Sequence, residues 1–270
     1  MLHKVTETAD FLTWKGFGDA TAAIVLGTGL GSFTRLMQVE NMIPYHEIPH
    51  FPLSTVEFHK GQLLVGKIGT TKVIAMQGRF HYYEGYSMQQ ITFPVRVLKA
   101  IGVEHLVLSN AAGGMNPTYK KGDLVLLEDH INQLPENPLR GLNDRAFGNR
   151  FVDMSQPYSA QLNQRLAAAA SGLGTTLKKG VYVAVPGPNL ETRAEYRHLR
   201  NIGGDMVGMS TVPEVIVANH IGLHCAAISV ITDECDPDNL QAVDIAEIIA
   251  TASKADDILS KIFEAFFYQL

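Results

Sequence analysis

Short apolar runs alternate with amphipathic stretches along most of this chain, and that alternation sets the expected architecture. Ala22-Ala23-Ile24-Val25-Leu26 is wholly apolar and stops at glycine, as a buried strand does. Leu63–Ile68 and Lys72–Met76 flank Gly69-Thr70-Thr71 and predict a hairpin. Further strands are predicted over His105–Ser109, Leu124–Glu128, Val181–Val185 and Ala226–Ile231. Helical spacing occupies Ser87–Ile101, Ala160–Ser171, Glu191–Asn201, Pro213–Ile221 and Val243–Phe267. In the last of these, Ile245, Ile248, Ile249, Ala252, Ala255, Ile258, Leu259, Ile262 and Phe266 describe one face of a long closing helix. A hairpin combined with strand–helix alternation predicts an α/β fold: a mixed, twisted central sheet flanked by helices on both faces.

No repeat, low-complexity tract or shift in composition divides the chain, so residues 1–270 are expected to form a single domain. Folding a chain of this size buries roughly 73% of the surface it exposes unfolded, enough for a full core. The stretch Asn132–Gln156 has no clear period and is rich in Pro, Asn, Arg and Gly. Loops of that length usually carry function or order against a partner. A hydrophobic fraction of 46% and a charged fraction of 18% describe an ordinary globular protein. The net charge of −5 argues against nucleic acid or anionic membrane as the main partner. The two cysteines, Cys225 and Cys235, form no CxxC pair. That excludes a disulfide framework or zinc ribbon and points to a reducing, cytoplasmic setting. Met1–Trp14 carries Glu7 and Asp10 with no apolar core, so no signal peptide is expected. No apolar run is long enough to span a bilayer.

Candidate chemistry clusters where strands end. Gly27-Thr28-Gly29-Leu30-Gly31-Ser32 follows the first strand, and its glycines let backbone N–H groups and two hydroxyls approach an anion. It lacks the Lys-Ser/Thr of a Walker loop and the GxGxxG spacing of a dinucleotide fingerprint, and it also reads as a plain tight turn. In Gln77-Gly78-Arg79-Phe80-His81-Tyr82-Tyr83-Glu84-Gly85-Tyr86, Arg79 can grip a phosphate bidentately. An extended backbone would project Arg79, His81 and Tyr83 to one side, and aromatics among charges suit a sugar or base. The alternative is an exposed loop with aromatic packing. Ser109-Asn110-Ala111-Ala112-Gly113-Gly114-Met115-Asn116-Pro117 ends another strand with residues small enough for a ligand to meet the backbone.

Two strand-to-helix joints follow, Pro186-Gly187-Pro188-Asn189-Leu190-Glu191-Thr192 and Val207-Gly208-Met209-Ser210-Thr211-Val212-Pro213-Glu214. Glu191 can accept from a heterocycle or simply favour a helix N-terminus. Ser210 and Thr211 can be helix caps or phosphate ligands, and Met209 can be core or substrate contact. Ser229-Val230-Ile231-Thr232-Asp233-Glu234-Cys235-Asp236 puts acids at the end of a buried strand without the ordered oxygens of a hard-cation loop. His46, His50 and His59 are scattered, with no HExxH, so no metal is expected.

GTGLG, QGRFHYYEGY, SNAAGGMNP, PGPNLET and VGMSTVPEVIVA occur in one order from Ile24 to the C-terminal helix. In that order the chain resembles the trimeric purine nucleoside phosphorylases, a family shared with the methylthioadenosine phosphorylases. The resemblance implies reversible phosphorolysis of purine nucleosides, with inorganic phosphate as co-substrate and no cofactor. It implies a phosphate site of Thr28, His59, Arg79, His81, Ala111 and Ser210. The nucleoside side would comprise Tyr83, Asn110, Leu190, Glu191, Val207, Met209, Thr232, Asp233 and Ile245. His81, Glu191 and Asp233 would be catalytic. Phe151, in FGNRF, would come from a neighbouring subunit of a homotrimer, giving the Asn132–Gln156 loop its purpose.

Three positions depart from the family pattern. Leu190 replaces a usual Phe, Asp233 stands where 6-oxopurine enzymes carry Asn, and the position near Ile245 is apolar where many members place a His. The last two lean toward the methylthioadenosine branch, whereas NAAGG and GMSTVPEV lean toward the purine nucleoside branch. An ionised Asp233 would repel the departing purine anion, so catalysis is expected to use it protonated. The rival readings are a dinucleotide-binding oxidoreductase on Gly27–Gly31, and a silent purine-binding module lacking Arg79, His81 or Glu191. None of those three is lost.

Overall fold

The computed structural model describes residues 1–56, 59–141 and 145–270, so residues 142–144 of the long loop lie outside the described residues. The strands are β1 (Ala22–Leu26), β2 (Gln38–Pro44), β3 (Gln62–Ile68), β4 (Thr71–Gln77), β5 (His105–Gly114), β6 (Leu124–Asn132), β7 (Lys178–Ala184), β8 (Met206–Gly208) and β9 (His224–Glu234). The helices are α1 (Leu2–Leu12), α2 (Met88–Ile91), α3 (Phe93–Ala100), α4 (Ala160–Gly172), α5 (Arg193–Asn201), α6 (Val212–His220) and α7 (Ile245–Tyr268).

The strands form one nine-stranded sheet in the order β2-β3-β4-β1-β5-β8-β7-β6-β9, and β9 also pairs with β5. That second pairing closes the far half on itself. Pairing is mixed: β1 runs parallel to β4 and β5, while β2–β3, β3–β4, β5–β8 and β6–β9 are antiparallel. Alternation along a strand divides the core into two layers. Ala23 and Val25 of β1 pack with α1, α2, α3 and α6, whereas Ala22, Ile24 and Leu26 pack with α4 and α7. The expected mixed sheet with helices on both faces is therefore what forms.

The differences from expectation have local causes. The predicted helix Ser87–Ile101 is two helices, because Pro94 tolerates only the first turn of α3 and the chain breaks at Thr92. The helix expected from Glu191 starts at Arg193, where Thr192 caps it in a box with Glu195. Glu191 is thereby left outside the helix. No element is predicted over β2, a largely exposed edge strand whose apolar residues do not alternate, or over the three-residue β8. Nor is α1 predicted, although Val5, Thr8, Ala9 and Leu12 bury one face of it.

Parallel strands β1, β4, β5 and β9 end at one edge of the sheet, and the loops leaving them converge there. Open α/β sheets bind ligands at that edge. No helix among the described residues is long and apolar enough to cross a membrane.

Candidate active site

The glycine loop after β1 is pinned from both sides. The Gly27 N–H donates to Ser109 Oγ at 3.2 Å, and the Ser32 N–H donates to the buried Asp256 of α7 at 2.7 Å. A Cβ at Gly27 would sit 2.7 Å from the Ser109 carbonyl oxygen, so only glycine lets this loop lie against β5. The loop leads into a short turn of 3₁₀ helix over Ser32–Arg35. Thr28 faces the cleft that opens beside the loop.

Arg79 forms one end of that cleft and is 2% exposed. Its Nη1 donates to the Ser109 carbonyl at 2.5 Å, and its Nε lies 3.5 Å from Glu214 Oε1. Nε and Nη2 have no hydrogen-bond partner, so a buried cation keeps N–H groups to spare. Buried donors left unpaired are costly, which marks them for an acidic ligand. Glu214 balances the charge while its other oxygen takes the Thr211 N–H at 2.9 Å. Thr211 itself is held at φ 70°, ψ −53°, with the Val212 N–H bonding the Ser210 carbonyl at 2.7 Å. That conformation is a strained γ-turn, and it turns Ser210 toward the cleft. The Thr211 hydroxyl also accepts from Asn110 Nδ2 at 2.9 Å, and Asn110 Oδ1 accepts from Ser229 at 2.6 Å. Asn110, at the floor, thus uses its amide as both donor and acceptor.

Three stacked rings come next, and of these His81 and Tyr83 line the cleft while His59 does not. His59 stacks on His81 with centroids 5.5 Å apart, and His81 on Tyr83 at 4.7 Å. They reach this arrangement differently from the expectation. The backbone is extended only as far as His81, and a turn of 3₁₀ helix over Tyr82–Glu84 swings Tyr83 back onto His81. Burial, with His81 and Arg79 adding to it, pushes His59 down to about 4, so it is neutral at pH 7. Its Nε2 lies 3.2 Å from the Thr28 hydroxyl, placing it behind Thr28. Burial also lowers His81 despite its 2.7 Å contact with Glu84. Glu84 resists its own desolvation through bonds from His81 and Thr55, which hold it down at about 2. A neutral His81 donating Nδ1–H to Glu84 leaves Nε2 as an acceptor. Burial raises the Tyr83 phenol to about 12.

At the opposite end Leu190, Glu191, Val207, Thr232 and Asp233 line the cleft, with Ala111 and Met209 between the ends. Burial raises the Glu191 carboxyl above its ordinary value, and the charge of Asp233 adds to this. Asp233 Oδ1 accepts from the Thr232 hydroxyl at 2.9 Å and Oδ2 from the Cys235 thiol at 3.0 Å. Side chains that bind a base could thus meet it with two carboxyl groups on one edge.

Two further expected positions lie elsewhere. Ile245 is 54% exposed in the first turn of α7, and Ile248, one turn deeper on the same side, lines the cleft in its place. Phe151 is 88% exposed and borders a separate hollow with His130, Leu139 and Ile216. In the single chain it does not line the cleft. Residues without an assigned role in the sequence also matter here. Glu84 and Glu214 each stand three residues after the residue they cap, a spacing visible in the chain. Tyr196 and Cys235 reach the site only through folding, and no local pattern marks them.

Residues 21–267 match the phosphorylase superfamily. A purine nucleoside phosphorylase 1 of Geobacillus stearothermophilus is 48% identical over 250 residues, 93% of this chain and 91% of that protein. The crystal structure of Schistosoma mansoni purine nucleoside phosphorylase in complex with adenosine superposes with a TM-score of 0.93 at 37% identity, covering 99% of this chain and 97% of that one. Isoform 2 from the same organism, in complex with cytosine and ribose-1-phosphate, superposes at 0.94 with 38% identity, covering 99% and 96%.

Proposed function

The chain belongs to the phosphorylase superfamily, and from that premise we propose how its cleft works as a purine nucleoside phosphorylase. The enzyme is a pentosyltransferase that reversibly converts a purine (deoxy)ribonucleoside and phosphate to free base and (deoxy)ribose 1-phosphate. One observation supports the placement of this reaction above others. A buried arginine with unpaired N–H groups and a pair of carboxyl groups close the two ends of one cleft, with stacked rings between them.

In this reading phosphate sits against Arg79, the Thr28 and Ser210 hydroxyls and the Ala111 amide, with His59 orienting Thr28. Phosphate is the nucleophile, so no covalent enzyme carboxylate is needed; the cleft supplies proximity and charge. The sugar lies along His81, Tyr83 and Met209 and passes through a cationic, oxocarbenium-like state that bound phosphate stabilises. The base lies between Leu190 and Val207 above Asn110, with Glu191, Thr232 and Asp233 at its edge. A proton or hydrogen bond delivered to N7 lets it leave. Residues 1–270 act as one cytoplasmic domain serving nucleoside salvage, with no cofactor of its own.

The test is release of base from inosine, guanosine, adenosine and methylthioadenosine, each with and without phosphate. Inosine and guanosine are expected to be cleaved only when phosphate is present. Release independent of phosphate, or release from none of the four, would overturn the reading. Preference for methylthioadenosine would instead trace to the apolar Ile248 in the lining.

The assembly proposed is a homotrimer in which Phe151 completes a neighbour's sugar site. Its support is the 88% exposure of a phenyl ring, whose burial is worth about 1.5–3 kcal/mol. Phe151→Ala should raise the nucleoside KM about tenfold while leaving the phosphate KM unchanged. A fully active monomer in sedimentation would refute this assembly.

A further inference from the structure

Tyr196, which lines the cleft, and Cys235, each 2% exposed, stand between the two carboxyl groups at the base end. The Tyr196 hydroxyl faces both the Glu191 carboxyl and the Cys235 thiol, and its ring packs in one cluster with Cys235. The thiol in turn donates to Asp233 Oδ2 at 3.0 Å. Gly113 makes room for this. A Cβ there would lie 2.6 Å from Cys235 Sγ and 3.3 Å from Asp233 Oδ2. We infer that Glu191, Tyr196, Cys235 and Asp233 form a proton relay along the purine edge, through which Tyr196 and Cys235 determine whether 6-aminopurines are cleaved as well as 6-oxopurines. The inference rests on the reading that a purine occupies this end of the cleft.

The relay matters because the two purine classes present opposite edges. A 6-oxopurine offers N1–H, which needs an acceptor, so it pairs with ionised Glu191 while a proton on Asp233 is already aimed at N7. A 6-aminopurine has a bare N1 and an amino group, so it pairs with protonated Glu191 and ionised Asp233. The proton then stands on the wrong carboxyl for departure. As the glycosidic bond breaks, its electron pair moves onto the base. The Glu191 carboxyl breaks its hydrogen bond to N1 and gives that proton to the Tyr196 oxygen, Tyr196 gives its own to Cys235 sulfur, and Cys235 gives its own to Asp233 Oδ2. Asp233 then passes a proton to N7. Phenol and thiol end as they began, and one proton has crossed from Glu191 to the base.

The surroundings favour one shared proton. Burial holds both the phenol and the thiol well above their ordinary values, so each stays a neutral carrier. Asp233 and Glu195 both face Glu191 and add to the effect of its burial. Lys121 is a cation facing Asp233, and it is tied to Glu247 at 2.6 Å.

The test compares kcat/KM for adenosine and inosine, at saturating phosphate and across pH, in wild type, Tyr196→Phe, Cys235→Ala and Cys235→Ser. Tyr196→Phe and Cys235→Ala should each lower the adenosine value about tenfold or more. The adenosine-to-inosine ratio should fall by about threefold or more. Cys235→Ser, whose hydroxyl can carry the proton, should restore the wild-type ratio. A common loss on both nucleosides, as poor packing would give, overturns the relay. So does a wild-type enzyme that cleaves inosine but not adenosine, an outcome that leaves phosphorolysis itself standing. Failure to cleave either nucleoside would remove the underlying reading as well.

Discussion

Replacing Arg79 with alanine is expected to lower kcat/KM by about 10³-fold or more, with the phosphate KM raised and kcat reduced together. The expectation comes from the way the fold spends this residue. A 2% exposed guanidinium is held by one carbonyl and balanced by one carboxylate, and its Nε and Nη2 protons are left without hydrogen-bond partners. In so dry a position a phosphate meets almost no screening, so the same groups that anchor it also stabilise the charge developing on the sugar. Arg79→Ala has a structural cost as well. It strands the buried Glu214, and breaking such a pair typically costs about 3–5 kcal/mol. Arg79→Lys keeps the charge beside Glu214 but not the planar fork, so it separates the two effects. It should fold near wild type and still show a phosphate KM raised by about tenfold or more. Activity of Arg79→Ala within threefold of wild type would remove Arg79 from the phosphate site.

The strain at Thr211 belongs to the same device. A β-branched residue at φ 70° persists because Asn110 holds its hydroxyl and Glu214 its N–H. Glu214 therefore neutralises the arginine and fixes the turn that carries Ser210, joining charge and shape at one carboxylate. That economy explains why so much of the site was legible in the sequence. Glycine loops, an arginine after a strand and a Ser-Thr pair before Pro-Glu are contiguous signals, and folding brought them to one edge because parallel strands end there. The pairing of β9 with β5, which sets Asp233 opposite Gly113, joins segments distant in the chain and leaves no trace in either. Ile248 replaced Ile245 for a simpler reason: periodicity finds the face of a helix but not the turn at which it meets the cleft.

The second large effect is expected at Glu191, where substitution by glutamine should lower kcat/KM for inosine about 10²–10³-fold. Glutamine can still accept through its carbonyl, but it lacks the charge that favours N1–H. The pH dependence gives the sharper check. Burial, reinforced by Asp233, raises the Glu191 carboxyl, so it protonates at a higher pH than an ordinary glutamate. Because a 6-oxopurine needs the ionised form, inosine cleavage should fall on the acid side along a limb displaced upward from 4.5. Glu191→Gln should remove that limb while leaving limbs that belong to phosphate. Stability should move the other way. The folded state holds this proton more tightly than the unfolded chain, so the contribution of Glu191 to stability is fully present below 4.5 and is lost as pH rises through the folded value. The glutamine variant should therefore lose a stability slope in the interval where the wild-type enzyme gains activity. Paired Tm and kcat/KM profiles over that range decide it. If the acid limb survives in the variant, Glu191 does not hold the purine edge, and the carboxyl facing N1 belongs to Asp233.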